Sequence, residues 1–166
     1  INAQASLIKI SIDINNEEDY LSITIEDNGR GMSTEQLKKV KDPFYTTRKT
    51  RNVGLGIPFF KQASINTGGS FYIDSKLEEG TIVSAKFVFS HIERMPLGDV
   101  VSTIHLLITM NPDINFIYTY KLNDKEFLLD TRQLKDILGD IRFDVPEISN
   151  FIRDYLHEHH DNINSN

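Results

Sequence analysis

The chain of 166 residues contains no cysteine, no tryptophan and no long run of apolar residues. Without cysteine it can have no disulfide, no thiolate zinc site and no cysteine nucleophile, which favours a reducing compartment such as the cytoplasm. No apolar segment approaches the ~20 residues of a membrane-spanning helix and no signal peptide opens the sequence, so we expect no membrane segment. An excess of positive charge is also missing. The formal net charge of −6 disfavours a general nucleic-acid binder, because neutralising phosphates requires clustered Lys and Arg.

The sequence does contain enough apolar residues for a core, and its charge is unevenly distributed. Apolar residues make up 39% of the chain and 16 aromatic residues argue against disorder, so we expect one compact domain with at most a small appendage. Residues 1–90 carry eleven basic and eleven acidic side chains, whereas residues 91–166 carry seven basic and 13 acidic ones. Residues 38–51 hold six basic side chains against one acidic, which suits either a solvated loop or an anion site.

Hydrophobic periodicity predicts strands and helices in residues 1–90. Apolar and polar residues alternate, as in half-buried strands, over residues 8–14, 21–25, 71–73 and 83–89. Ser33 and Gln36 form a capping pair that begins a short helix, and a second helix runs from about residue 54 to Asn66. Residues 41–53 have no clear period and are predicted to form a basic loop.

Residues 91–166 predict a small, acidic α+β module. Its elements are, in order, a helix over residues 97–109, a hairpin of 115–122 and 125–130, and helices over 131–138 and 147–160. Pro96 is expected to start the first of these helices, and residues 161–166 are expected to fray.

Two glycine-rich elements stand out in the first half. Asp27-x-Gly29-x-Gly31 follows a predicted strand, where glycines allow a tight turn and the close approach of a flat ligand. The alternative is an ordinary turn, since Asp-Asn-Gly is a common turn sequence. Residues 54–56 (GLG) open a helix directly after the basic loop, and a helix N-terminus of this kind suits phosphate. The sequence has neither a P-loop nor a Rossmann fingerprint, so neither common nucleotide fold explains these elements.

Together these segments resemble the GHKL ATPases, the family of gyrase-type topoisomerases, Hsp90 chaperones, sensor histidine kinases and mismatch-repair ATPases. The matching segments, which look like the G1, F and G2 boxes and the closing segment of that family, are residues 25–32 (IEDNGRGM), 42–48 (DPFYTTR), 54–57 (GLGI), 68–71 and 75–81. The resemblance covers residues 1–90. The short basic loop of this chain corresponds to the lid of the family and is most similar to the lid of the sensor histidine kinases.

The resemblance implies roles at the base end of a bound ATP. Asp27 would accept a hydrogen bond from the adenine amino group, and Gly29 and Gly31 would shape the wall beneath the ring. Thr81 would add a contact from its hydroxyl group through a water molecule.

The resemblance also implies roles at the phosphate end. Gly54, Leu55 and Gly56 would form the helix start that faces the phosphates. Kinases usually have a further glycine two residues before Gly54. Here that position is Asn52, a residue type that tolerates a left-handed backbone better than most.

The basic loop corresponds to the lid of the family. Arg48, Lys49 or Arg51 would supply positive charge to the phosphates, and Phe44 would anchor the lid by packing. Phe44 is equally well explained as a core aromatic residue.

The family binds Mg²⁺ through an asparagine on a helix before the first strand, and some branches place a glutamate general base one residue earlier. Residues 1–6 resemble the end of that segment, but Asn2 lies only six positions before Ile8, which is too close. We therefore expect the metal ligand and any general base to lie upstream of Ile1, so that residues 1–90 are an N-terminally truncated ATPase domain.

Residues 90–97 (SHIERMPL) resemble the phosphoacceptor box of histidine kinases. In those kinases the box precedes the ATPase domain, whereas here it follows. The order favours His91 as a residue of a strand-to-helix turn, and phosphoacceptor is the alternative.

Other polar residues of the C-terminal half invite weaker interpretations. His157 and His160 share a helical face and could bind a metal, but a fraying helix rarely holds one. Four aspartates suggest a solvated acidic face, namely Asp130, Asp136, Asp140 and Asp144. No nucleophile, histidine and acid show the spacing of a catalytic triad.

The sequence thus predicts an α/β two-layer sandwich of the GHKL type over residues 1–90, followed by a small α+β module over residues 91–166. The expected function is binding of ATP with Mg²⁺, with transfer of the γ-phosphoryl group to a protein by a histidine- or serine-kinase-like enzyme. The alternatives are an ATPase and an ATP-gated interaction module without transfer. The acidic module suits a protein partner with a basic surface, and a homodimer is compatible with the sequence.

Overall fold

The computed structural model describes residues 3–41, 56–139 and 141–165. Within these ranges the strands are β1 (Leu7–Asn15), β2 (Tyr20–Asp27), β3 (Ser70–Lys76), β4 (Gly80–Val88), β5 (Asn115–Leu122) and β6 (Lys125–Asp130). They form one sheet in the order β3-β4-β2-β1-β5-β6. All neighbouring pairs are antiparallel except β1 and β5, which are parallel.

The helices of the described residues are α1 (Thr34–Lys41), α2 (Gly56–Asn66), α3 (Val100–Met110), α4 (Thr131–Leu138) and α5 (Pro146–Asn164). The predicted capping pair begins α1, because Ser33 Oγ accepts the N–H of Gln36 at 3.2 Å while Gln36 Oε1 accepts the N–H of Ser33 at 2.9 Å. None of these helices is both long and apolar enough to span a bilayer.

Alternation along β1 divides its side chains between the two faces of the sheet. Ile8, Ile10, Ile12 and Ile14 are at most 9% exposed and belong to one core cluster with residues of α3 and α5. Helix α2 packs on the same face, where the ring of Phe60 contacts two aromatic rings of β3 and β4. The predicted α/β sandwich is confirmed.

The C-terminal hairpin continues the sheet of the first half. Strand β5 pairs with β1 from Leu7 opposite Asn115 to Ile14 opposite Leu122. Two parallel strands need a crossover connection between them. Here the segment that contains α3 leads from the end of β4 to the start of β5, which lies beside the start of β1. The sequence predicted the bounds of β5 and β6 correctly but did not indicate which strand they would join.

The first helix of the C-terminal half begins later than predicted. Helix α3 starts at Val100, so the placement of Pro96 at a helix start is wrong. The Asp99 side chain accepts the N–H of Ser102 at 2.9 Å and so caps the helix. Hydrogen bonding from the Ser102 side chain and, to a lesser degree, from its N–H lowers the pKa of the Asp99 carboxyl group.

The expectation that the C-terminal residues fray is wrong for residues 161–164, which form the last turn of α5. Ile163 is only 8% exposed, and Tyr120 donates its hydroxyl proton to Asn164 Oδ1 at 3.1 Å. These tertiary contacts hold a polar turn that its sequence alone would not stabilise.

The predicted solvated acidic face is wrong for one of its four members. Asp130 is 8% exposed, caps α4 by accepting the N–H of Arg132 at 2.9 Å, and pairs with the Arg132 guanidinium group. That pairing holds the pKa of the Asp130 carboxyl group below its usual range. Asp136 and Asp144 are exposed, and Asp140 lies outside the described residues.

Candidate functional site

The candidate site is built on the turn that follows β2. Asp27 is the last residue of β2 and lies opposite Ile8 of β1 and Thr81 of β4, so strands on both sides fix its backbone. Its Oδ1 accepts the N–H of Gly29 at 2.8 Å. No hydrogen bond to Oδ2 occurs within residues 3–41, 56–139 and 141–165, which leaves this oxygen able to accept from a ligand.

The glycines of this turn are required by close contacts. A Cβ on Gly29 would lie 2.5 Å from the carbonyl oxygen of Ala3. A Cβ on Gly31, whose φ is +61°, would lie 1.9 Å from the carbonyl oxygen of Lys76. A Cβ on Gly80 would lie 1.9 Å from the carbonyl oxygen of Asp27. A side chain at any of the three positions would therefore displace the turn.

A hydroxyl pair lies beside the carboxylate. Thr81 Oγ1 and Ser75 Oγ are 2.9 Å apart, and Ser75 Oγ also accepts the N–H of Met32 at 2.9 Å. Ser75, Thr81 and Asp27 occupy successive strands in register, so the three side chains form one row on the helix-covered face. Ser75 was not predicted as a site residue, although it lies in a segment that the resemblance covers.

The predicted site residues at the phosphate end are only partly described. Gly56 is the first residue of α2. Phe44, Arg48, Lys49, Gly54 and Leu55 lie outside the described residues, as do Arg51 and Asn52.

Gly56 lines a mostly apolar cavity of about 340 Å³ together with Ile23, Phe60 and Pro96. Asp27 is not among the residues that line this cavity. Strand pairing places Asp27 opposite Thr81, and Gly29 and Gly31 lie in the turn that follows Asp27.

The other candidate residues take part in the fold. His160 is 6% exposed, its Nε2 lies 2.8 Å from the hydroxyl group of Tyr118, and its ring stacks on that of Tyr120 with centroids 4.1 Å apart. Burial lowers the pKa of His160 and, to a lesser degree, so does His157. No group of three or more His, Asp or Glu side chains in the described ranges is arranged to hold a metal ion.

His91 lies in the turn between β4 and α3, as predicted. Its Nδ1 accepts the N–H of Glu93 at 3.2 Å. The arginine of the same motif, Arg94, donates from Nε to the carbonyl oxygen of Phe89 at 2.6 Å and lies over the Phe89 ring. These contacts of His91 and Arg94 stabilise the turn, and a phosphoacceptor role for His91 stays a prediction.

A further cavity of about 650 Å³ lies at the other end of the sheet. It is lined by the last residues of β1 and β5 and by α5, including Ile14, Leu122 and His157. Since Asp27 pairs with Ile8 near the first residues of β1, this cavity is separate from the Asp27 turn.

The family model that describes histidine kinase-, DNA gyrase B- and HSP90-like ATPases matches residues 1–91. The sensor histidine kinase WalK of Bacillus subtilis (strain 168) is 35% identical over 82 residues, which are 46% of this chain and 13% of that protein. The sensor kinase CckA of Brucella abortus (strain 2308) is 36% identical over 66 residues, which are 39% of this chain and 7% of that protein. The matched region therefore spans a small part of these relatives.

A crystal structure of the N-terminal domain of a DNA repair protein matches the fold with a TM-score of 0.51 at 15% identity. The match covers 84% of this chain and 53% of that one, so it extends past residue 91 into the C-terminal half. The chain belongs to the family of histidine kinase-, DNA gyrase B- and HSP90-like ATPases, and residues 1–91 are its ATP-binding domain of the histidine-kinase-like type.

Proposed function

We propose that the chain binds ATP at the Asp27 turn and passes the γ-phosphoryl group to a protein side chain. One observation supports the binding mode above the others. The Asp27 carboxylate is fixed through Oδ1 to the N–H of Gly29 and keeps Oδ2 for a ligand. The kinase activity rests on relatives of 35% and 36% identity that are named sensor kinases.

At the base end, each residue contributes by its geometry. Asp27 Oδ2 would accept a hydrogen bond from the adenine amino group, a contact that guanine cannot make in the same way. Gly29 and Gly31 let the backbone approach the flat ring. The Thr81 and Ser75 hydroxyl groups would hold a water molecule against the base.

At the phosphate end, the helix start would be formed by Gly54, Leu55 and Gly56. N–H groups and the helix dipole favour anions at such a position. Arg48 and Lys49 would add charge, with Phe44 anchoring their segment. The described residues add Lys38 and Lys41, which are exposed in the last turn of α1, and Lys61 of α2 donates to the Lys41 carbonyl oxygen at 2.9 Å.

The transfer itself conserves every atom and charge. An oxygen or nitrogen of the acceptor side chain would form a bond to the γ-phosphorus while the bond from that phosphorus to its bridging oxygen breaks, and ADP would leave with the electron pair. The proton of the acceptor would pass to a base. No described residue is assigned that role.

Mg²⁺ would enter bound to ATP, since phosphate oxygens and water supply most of its ligands in such sites. The described residues contain no group of three or more His, Asp or Glu side chains that could hold the ion. The absence of cysteine and the use of ATP both suit the cytoplasm.

A second candidate function is an ATP-gated interaction module. It is favoured by the C-terminal half, which carries all of the net charge of −6 and shares the sheet with the nucleotide half through β1 and β5. A partner with a basic surface, or a second copy of the chain, would then respond to ATP without receiving phosphate.

One experiment separates these functions. The full-length protein is incubated with Mg²⁺ and ATP labelled at the γ-phosphate. Label on protein supports the kinase, and free labelled phosphate indicates an ATPase. Binding without either product indicates a gate, and no adenine nucleotide binding by calorimetry would refute the proposal.

A further inference from the structure

We propose that Asn28 is the positioning residue of the adenine site, because its side chain ties the turn that orients Asp27 to the beginning of β1. This inference rests on the proposed function and adds a residue that the resemblance does not assign.

The Asn28 side chain is hydrogen-bonded at both ends of its amide. Oδ1 accepts the N–H groups of Ser6 at 3.0 Å and Leu7 at 2.9 Å, and Nδ2 donates to Ser6 Oγ at 2.9 Å. The Asn28 N–H donates to the Leu7 carbonyl oxygen at 3.3 Å, and the Arg30 N–H donates to that of Ala3 at 2.8 Å. One side chain therefore joins the turn to the segment that enters β1.

These contacts act on the Asp27 side chain through Gly29. The backbone of Asp27 is already fixed by its strand neighbours, but the direction of its carboxylate depends on the N–H of Gly29, which holds Oδ1. Asn28 precedes Gly29 directly, and the carbonyl oxygen of Ala3 limits Gly29 from the other side. Fixing Asn28 therefore fixes the N–H that turns Oδ2 towards a ligand.

The chemistry of the position favours asparagine. The amide oxygen accepts two hydrogen bonds while the amide nitrogen donates a third. Aspartate would still accept from both N–H groups, serine is too short to serve both, and alanine makes none of these bonds. The four side chains therefore form a graded series at one position.

Ser6 also connects the site to the C-terminal half. The Asn115 N–H donates to the Ser6 carbonyl oxygen at 2.9 Å, and Lys135 Nζ donates to Asn115 Oδ1 at 2.7 Å. The beginning of β5 is thus one hydrogen bond away from the residue that Asn28 holds.

The test measures nucleotide discrimination, defined as the ratio of the Kd for GTP to the Kd for ATP, with the purified full-length protein. A mutation that only lowers the stability of the protein weakens the binding of ATP and GTP alike and leaves this ratio unchanged. Loss of orientation at Asp27 lowers the ratio, because only the adenine amino group uses that contact. Thermal unfolding of each variant gives its stability independently.

We expect Asn28→Ala to lower the ratio by about tenfold, the equivalent of one hydrogen bond of roughly 1.4 kcal/mol. Asn28→Ser should lose nearly as much and serves if the alanine variant does not fold. Asn28→Asp should keep most of the discrimination. Ser6→Ala removes only the hydrogen bond that Asn28 Nδ2 donates to Ser6 Oγ, and it should keep nearly all of the discrimination.

The Asp27→Asn variant distinguishes failure of the positioning role of Asn28 from failure of the proposed adenine site. If Asp27→Asn loses discrimination while Asn28→Ala or Asn28→Ser keeps it, the positioning role is refuted and the proposed site stands. If Asp27→Asn keeps discrimination, the proposed adenine site is refuted and the role of Asn28 falls with it.

Discussion

At the Asp27 end of the sheet, polar side chains hold a turn at the surface, whereas in the C-terminal half comparable groups are enclosed in the core. Asn28 is exposed and Asp27 is half-buried, and Asp27 Oδ2 has no hydrogen-bond partner among the described residues. Thr131 is fully buried, and its hydroxyl oxygen accepts the N–H of Phe116 at 2.8 Å. His160 is hydrogen-bonded to the hydroxyl group of Tyr118. We propose that the polar groups of the first region bind a ligand, whereas those of the second region stabilise the fold.

The two regions nevertheless share one scaffold. Ile8 of β1 lies opposite Asp27 on one side and opposite Phe116 of β5 on the other. A loss of packing in the C-terminal half should therefore reach the site through the sheet, although no described side chain of that half forms a hydrogen bond with the Asp27 turn.

The largest effect is expected for Leu156→Ala in α5, since Leu156 is fully buried. The free energy of unfolding should fall by about 2–5 kcal/mol, because a large core side chain leaves a cavity. Urea denaturation should still show one transition, because both halves pair with β1. Leu106→Ala, at a 52% exposed position of α3, is the control with a small effect. Two separate transitions would show that the halves fold independently.

A comparable loss is expected for Gly31→Ala in the nucleotide half. The new Cβ would meet the Lys76 carbonyl oxygen at 1.9 Å in addition to the cost of a positive φ, so we expect roughly 2–3 kcal/mol. The control is Gly98→Ala, which has a φ of +75° but no atom within 4 Å of the new Cβ and should cost about 1 kcal/mol. Equal losses in urea denaturation would contradict the close contact at Gly31.

A smaller effect is expected from pH through His160 in the C-terminal half. Burial lowers the pKa of His160 below the ordinary histidine value of 6.5, so the folded chain binds fewer protons than the unfolded chain just below that pH. The contribution of His160 to stability is therefore complete above pH 6.5 and is lost as the pH falls towards the lowered pKa.

Urea midpoints between about pH 5 and 8 measure this dependence. His160→Gln should flatten it. His157→Gln, at an exposed position of the same helix, should leave most of it in place. An unchanged slope in His160→Gln would mean that other groups cause the dependence.

The smallest effect is expected for the ion pair between Lys9 and Glu26 on the nucleotide half, whose Nζ and Oε1 are 2.9 Å apart with both side chains 46% exposed. A double-mutant cycle with alanine should give a coupling of at most about 1 kcal/mol that decreases with salt. A larger or salt-independent value would indicate a desolvated pair.

Much of this structure could be predicted from the sequence because its signals are local. The alternation of Ile8 to Ile14, the capping pair of Ser33 and Gln36, and the hairpin bounds all depend on near neighbours. The proximity of Asp27 and Thr81 followed from a family resemblance, and the strand register places them opposite each other.

Other features depended on partners distant in sequence and were missed. The hydrogen bonds of the Asn28 side chain need Ser6, which lies 22 residues away in sequence. The hydrogen bond from Tyr120 to Asn164, at the end of α5, spans 44 residues. Asp130 looked solvated because nothing in its neighbourhood shows that it is buried.

The sequence by itself therefore determined which faces of the strands are apolar, where the turns and caps lie, and which family the first half resembles. Only the tertiary structure decided that the C-terminal hairpin joins the free edge of β1, that His160 is a core residue, and that the segment before β1 is tied to the Asp27 turn. The physical reason is that a periodic pattern specifies a buried face but not the residues that will cover it.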